Sequence, residues 1–376
     1  DACTFRSNQA DNVGGAISNA FGAITNITNT TFESNTCNGT GGALFSQNDE
    51  NIITVKNSTF ISNEGEFGGA IGMNGDNAAS EGLTLPVLNL EQVSITANFA
   101  LRQAGGINIT NANANLENVL LDLNLPLDDD GVGGGISFNT NDSIAAVFNI
   151  INSTIIENTA SLGAGIANWK FGELSTSTLT VQNTIFANPE GDGNNYVIEA
   201  GDPVFVSNGG NLSANTSMEM ILTGPNDLND VGPQFVDPSD FNYQLMNESP
   251  CVDQGIADGA PPTDLLGNPR VGEPDIGAYE NQMMVNTEER HYRFGQLTLF
   301  PNPVENQLNY NFSTIWRGQL TLQISDAAGK VVHQEVLTKS TDDLQQLTDV
   351  SQLPAGTYQL SLSNGRLYQT QSFIKQ

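Results

Sequence analysis

The sequence predicts an all-β protein, a right-handed parallel β-helix solenoid followed by a small Ig-like antiparallel β-sandwich. Three observations lead there. Two short motifs alternate along the first half of the chain. The unit they delimit is too short for a strand-helix-strand crossover and suits one coil of a β-solenoid. From residue 297 onward the repeat is gone and short runs alternate apolar and polar, as antiparallel strands do.

The first motif is Gly-Gly-Ala-Ile. It stands at Gly14 to Ile17, Gly41 to Leu44 and Gly68 to Ile71, then loosens to Gly105-Gly106-Ile107, Gly134-Gly135-Ile136 and Gly163 to Ile166. The second reads apolar-x-x-Asn and ends at Asn8, Asn35, Asn63, Asn98, Asn124 and Asn158, with a shortened copy ending at Asn188. Stacked coils place equivalent side chains above one another about 4.8 Å apart, so an Ile column forms core and the Asn column predicts an amide ladder. Paired glycines fit tight turns pressed against neighbouring coils. The right-handed sense follows from the bias of parallel crossovers. Longer spacings mark insertions at Asn74 to Pro86 and at Leu125 to Asp130, expected to protrude as loops and carry specificity.

Composition agrees. The 376 residues include 38 glycines and only 14% charged residues, a turn-dense balance. Net charge is −30, and residues 1–280 hold 34 of the 42 acidic residues but 5 of the 12 basic ones. Such a surface repels phosphate backbones and anionic membranes, which excludes nucleic acid as a partner and favours cations or neutral sugars. Cys3, Cys37 and Cys251 are too few and scattered for a disulfide framework and read as free thiols. No run of about 20 apolar residues predicts a membrane span. Cys3 to Asn8 correspond to the middle of a coil, so the native chain is expected to continue before Asp1.

Residues 1–222 are assigned to the solenoid, 223–280 to a cap over its end, 281–296 to a linker and 297–376 to the sandwich. The motif pair resembles the GGA[ILV] and FxxN repeats of chlamydial polymorphic outer-membrane proteins, which implies a surface adhesin. Val231 to Pro238, Phe241 to Leu245, Ser249 to Gly255, Asp264 to Arg270 and Asp275 to Glu280 resemble the conserved segment of bacterial choice-of-anchor Q proteins. The tail is similar to the type A sorting domain of the type IX secretion system of Bacteroidetes. The residues carrying that likeness are Pro301, Asn302, Pro303, Gly329, Lys330, Gly356, Tyr358 and Lys375. It implies export through the type IX machinery at the outer membrane, then cleavage of the tail and surface anchoring.

Catalysis is the competing class, since parallel β-helices also host polysaccharide lyases and hydrolases. The body has no histidine, because His291 and His333 lie beyond it. Arg102 is the sole candidate lyase base and reads better as a solvated or ion-paired arginine. Asp128, Asp129 and Asp130 could join a Ca²⁺ site, the only cofactor the sequence suggests, although adjacent strand residues point opposite ways. Asp253, Asp264 and Asp275 read as turn formers rather than an acid cluster. Asp142-Ser143-Ile144 resembles a short O-glycosylation signal. The favoured reading is a secreted, cell-surface β-helix acting as an adhesin-like or structural module, with glycans or other surface proteins as partners. A polysaccharide-active enzyme is the alternative.

Overall fold

A computed structural model of the protein describes residues 1–376 apart from 48–49, 77–83, 142–143, 171–176, 190–193, 201–203, 283–295, 314–317, 328, 340–342 and 364–367. Two compact units divide the chain: Asp1–Val236 with Gln244–Gln282, and Asp237–Tyr243 with Met283–Gln376.

The first unit is a parallel β-helix. Sheet I stacks 24–28, 52–56, 87–91, 113–117, 147–151, 178–182 and 204–207; sheet II stacks 4–6, 31–33, 58–61, 93–96, 119–122, 154–156 and 185–187. Ile52–Ile61, Val87–Thr96 and Asn113–Asp122 run through both sheets and bend once. Sheet III holds 9–10, 36–37, 64–67, 99–103 and 125–126. Sheet IV runs from 17–20 to 196–200. The run Leu125–Pro126, expected to begin a protruding loop, instead pairs in register with Phe99–Ala100, and Leu127 N and Asp128 N still donate to Ala100 O and Leu101 O of that coil.

Three left-handed columns make the corners. Asn29, Asn57, Gln92, Asn118, Asn152 and Asn183 turn sheet I into sheet II with φ from 46° to 56°. Asparagine tolerates that region because its short polar side chain can hydrogen-bond locally. The residue before each ladder asparagine, from Ser7 to Glu157, is likewise left-handed. Gly14, Gly41, Gly68, Ala104, Gly133 and Gly163 form the third column. The next glycine answers a different need: a Cβ on Gly69 would lie 2.3 Å from the Phe99 carbonyl oxygen and 2.4 Å from that of Gly105.

Inside, side chains stack by register. Phe5, Phe32 and Phe60 lie with ring centroids 5.1 and 4.5 Å apart and planes within 6°, followed by Ile95, Leu121, Ile155 and Phe186. Ile17, Leu44, Ile71, Ile107, Ile136, Ile166 and Tyr196 form the facing column. At the C-terminal end, Met218 and Leu222 join the same core, and the short turn Thr216–Met218 is capped by Asn215, whose Oδ1 accepts from Ser217 N at 3.0 Å. Leu228–Asn229 then adds a last rung on Leu212–Ser213, inside the segment 223–280 expected as the cap. Residues 251–281 turn back as a strap along the flank, because its backbone groups find partners on the corner column between sheets I and II. Gln92 Nε2 donates to Asp264 O (2.6 Å), Asn118 Nδ2 to Thr263 O (2.8 Å), Asn152 Nδ2 to Asp275 O (3.1 Å) and Asn183 Nδ2 to Ile256 O (2.9 Å).

The second unit contains an antiparallel sandwich. One sheet orders Gln296–Phe300, Gln307–Ser313 and Asp343–Asp349; the other orders Val331–Lys339, Gly318–Asp326, Gly356–Ser363 and Tyr368–Lys375. Leu308, Tyr310, Phe312, Leu322, Ile324, Leu360, Leu362 and Phe373 fill a core of their own. The linker lies almost wholly outside the described residues, as does the turn after Ser363.

Candidate functional site

Four features of the molecule bear on function: the inner amide ladder, the strap, the outward face of sheet I and one end of the sandwich.

The ladder residues occupy one column. Asn8 Nδ2 donates to Asn35 Oδ1 (2.8 Å), Asn35 to Asn63 (2.9 Å), Asn63 to Asn98 (2.9 Å), Asn98 to Asn124 (3.0 Å), Asn124 to Asn158 (2.9 Å), and Asn158 to Asn188 (3.0 Å). Asn188 passes the chain to Asn195 at 2.9 Å, a member without the apolar-x-x-Asn signature. The second amide N–H of Asn98 reaches Phe60 O and that of Asn124 reaches Ile95 O, one coil back. Each acceptor oxygen also takes a backbone N–H, as Asn98 Oδ1 does from Asn63 N at 2.9 Å. All of this lies at 0% exposure from Asn35 to Asn158. Asn98→Ala strips acceptors from Asn63 and donors from Phe60 O and Asn124 Oδ1, so denaturant unfolding is expected to lose about 2 kcal/mol. An unchanged midpoint would show that the ladder contributes nothing.

The strap is organised by buried carboxylates. Asp264 Oδ1 accepts from Leu266 N and Asn268 N, and Asp275 accepts from Asp253 N (2.7 Å) and Asn281 N (2.6 Å). Glu280 accepts from Val271 N and Asp275 N and pairs with Arg270 Nη1 at 2.9 Å, both side chains nearly inaccessible. Asp264 and Asp275 thus set backbone turns, while exposed Asp253 contributes its backbone N–H to Asp275. Among the described residues no group of three or more His, Cys, Asp or Glu could hold a metal ion. Burial, with the charges of Glu280 and Asp253 and against the two N–H donors, pushes Asp275 up to about 6. The folded state therefore holds this proton more tightly than the unfolded chain does. The resulting stability is fully present below the ordinary value of 3.8 and is lost as pH rises through about 6. Acidifying from about pH 7 to about pH 5 is expected to raise the melting temperature of the wild type more than that of Asp275→Asn. An equal rise in both would remove Asp275 as the cause.

The remaining candidates sit at the surface. Asp128, Asp129 and Asp130 are exposed in the turn closed by Gly131 N to Asp128 O, and they are not brought together as a group that could hold a metal ion. Arg102 is largely exposed and lies 3.4 Å from Glu66, an ion-paired surface arginine. Of the insertion at Asn74 to Pro86, residues 77–83 fall outside the described residues; Asp76 Oδ1 accepts from Asn111 Nδ2 at 2.6 Å. Asp142 and Ser143 also fall outside them. All three cysteines are free, and burial pushes the Cys251 thiol up to about 12.

Sheet I presents a feature that neither repeated motif marks. On its outward side Thr54, Asn89, Asn115 and Asn149 stand in register, with Asn115 Nδ2 donating to Asn89 Oδ1 and Asn149 Nδ2 to Asn115 Oδ1, each at 2.9 Å. Two residues further along the same rungs come Lys56, Glu91 and Glu117. Lys56 Nζ lies 2.5 Å from Glu91 Oε2. Burial, then the charge of Glu91, raises Glu117 above the ordinary carboxylate range, with Lys56 and Arg270 opposing. The signal was present as Asn between apolar residues at Leu88 to Leu90, Ala114 to Leu116 and Phe148 to Ile150, all inside strands that the Gly and Asn motifs only bracket.

In the sandwich, strand ends bring the sorting-motif residues to one end. Val304 N donates to Ile374 O (2.8 Å), Ile374 N to Asn302 Oδ1 (2.9 Å), and Gly356 is the register partner of Lys375. Asp326, whose Oδ1 takes Lys330 N, is the partner of Tyr358, and Tyr358 donates its hydroxyl to Pro354 O at 2.9 Å.

A parallel β-helix body joined to a small antiparallel sandwich defines a protein with a repetitive body and a separate C-terminal module. Residues 298–376 match the family described as the secretion system C-terminal sorting domain. No curated protein matches the chain. The sorting domain marks a Bacteroidetes secreted protein, exported by the type IX secretion system, whose machinery it meets, and attached to the cell surface.

Proposed function

We propose that the exported β-helix is an adhesin-like binding module presented on the cell surface, related in its closing segment to the choice-of-anchor Q proteins. The observation that carries this reading is the outward face of sheet I. It runs across successive coils with exposed Ile52, Val147 and Val204 in one column, Asn and Thr in the next, and no strap over those two columns. Sheet II is different, for its outward Leu120 and Ile156 are buried. A regular, partly apolar and amide-rich surface suits recognition of an extended partner.

The second reading, a polysaccharide-active enzyme, draws on Glu91 and Glu117. Rung spacing of about 4.8 Å is near the carboxyl separation of about 5–5.5 Å used by retaining glycosidases, and only one of the two has a cationic partner. Against it, the pair lies on a sheet face rather than in a cleft.

Adherence of bacteria displaying the protein, compared with a strain lacking it, on glycan-coated and protein-coated surfaces tests the first reading. The displaying strain is expected to adhere more to at least one of them. Equal adherence on both overturns it.

A further inference from the structure

Two amide ladders run through the body, and they differ in what they leave unused. Inside, Asn98 and Asn124 spend both N–H groups and both acceptor positions on protein partners. Outside, Asn115 donates one side-chain N–H to Asn89 and accepts one from Asn149, and its amide has no other hydrogen bond among the described residues. An amide can make four such bonds. Each outer rung therefore keeps one donor and one acceptor facing solvent, repeated at about 4.8 Å along the solenoid axis. That is the complement of a hydroxyl pair, which donates with one oxygen and accepts with the other. A linear polymer of hydroxyl-bearing rings supplies such pairs at regular intervals.

The neighbouring columns narrow the ligand. On one side stand half-exposed Ile52, Val87 and Val147, interrupted by Asn113 on the rung between Val87 and Val147, apolar patches suited to the C–H face of a sugar ring. On the other stands Glu117, half-buried at the foot of the strap, with no hydrogen bond or ion pair among the described residues and a raised affinity for its proton. It calls for a donor. Lys56, the only basic residue at the outward positions of sheet I, is neutralised by Glu91. Arg270 is almost wholly buried and committed to Glu280. Nothing cationic is left on the strip to hold a sulfate or uronate, and the protein's charge of −30 opposes both.

We propose that this strip is a glycan-binding site that takes a linear, neutral polysaccharide lying along the solenoid axis, with Asn89, Asn115 and Asn149 reading hydroxyl pairs and Glu117 accepting from a further hydroxyl. The proposal rests on the adhesin-like reading and supplies its ligand class and site.

Calorimetry on the purified full chain, with neutral cello- and manno-oligosaccharides and with uronic-acid oligomers as probes, tests it. At least one neutral series is expected to bind and the uronic-acid series not to. Asn115→Leu with Asn149→Leu is expected to weaken binding at least about tenfold. Because both side chains point to solvent, the variant should melt with the wild type. Glu117→Gln is expected to weaken binding less, since an amide oxygen still accepts. Neutral binding that survives the double variant overturns the site. Uronic-acid binding of equal strength, or no glycan binding at all, overturns the ligand class; if displaying cells still adhere, the adhesin reading stands without it. Release of reducing ends that disappears in Glu117→Gln overturns a purely binding role.

Discussion

Deleting residues 297–376 is expected to abolish surface display while leaving a folded β-helix in the periplasm. The sorting domain carries the export address. The two hydrophobic cores share no residue, so removal of one withdraws no buried side chain from the other. Fractionation with an antibody to the body, together with protease resistance of the retained protein, checks both halves. Display at the wild-type level would refute the address, and rapid degradation of the retained body would refute its independence.

The second large effect is expected from Arg270→Ala, which should cost the body about 3–5 kcal/mol. Arg270 bonds Glu280 at 2.9 Å, Asn118 Oδ1 at 2.8 Å and Gly277 O at 3.2 Å. Truncation leaves the Glu280 carboxylate, 1% exposed, without its counter-charge, and strands the solenoid-side amide as well. The double variant Arg270→Met with Glu280→Gln removes the uncompensated charge and should recover most of the loss. Denaturant unfolding of the full chain reads this, with the sandwich transition as an internal reference. A loss below about 1 kcal/mol for Arg270→Ala would mean that the ion pair does not hold the strap, because exposed pairs reach only that value.

The solenoid was legible in the sequence because its corners demand particular residues. Gly14, Gly41 and Gly68 recur where φ is positive, and Asn35, Asn63 and Asn98 recur where an amide must bridge coils. Those needs repeat once per coil and leave a period. The strap left none. Its partners on the solenoid are Gln92, Asn118, Asn152 and Asn183, which look like ordinary corner residues, and its contacts span sequence separations as long as 172 residues. Asn195 escaped for a related reason: it enters the ladder only 7 residues after Asn188, at a break in the repeat. The outer ladder escaped because Asn at the solvent-facing position of a strand is, residue by residue, indistinguishable from any polar surface choice. Only register between Asn89, Asn115 and Asn149 turns three such residues into one surface.

The strap also changes how the body can come apart. In a plain solenoid each coil touches only its neighbours, so opening can begin at a free end and travel like an unfastening zipper. Here one segment grips the coils from Gln92 to Asn183 at once. Those coils open together or not at all, which turns a one-dimensional array into a single cooperative block. The strap is also made after the coils it binds, since residues 251–281 follow them in the chain. The block locks only when the solenoid beneath it is complete.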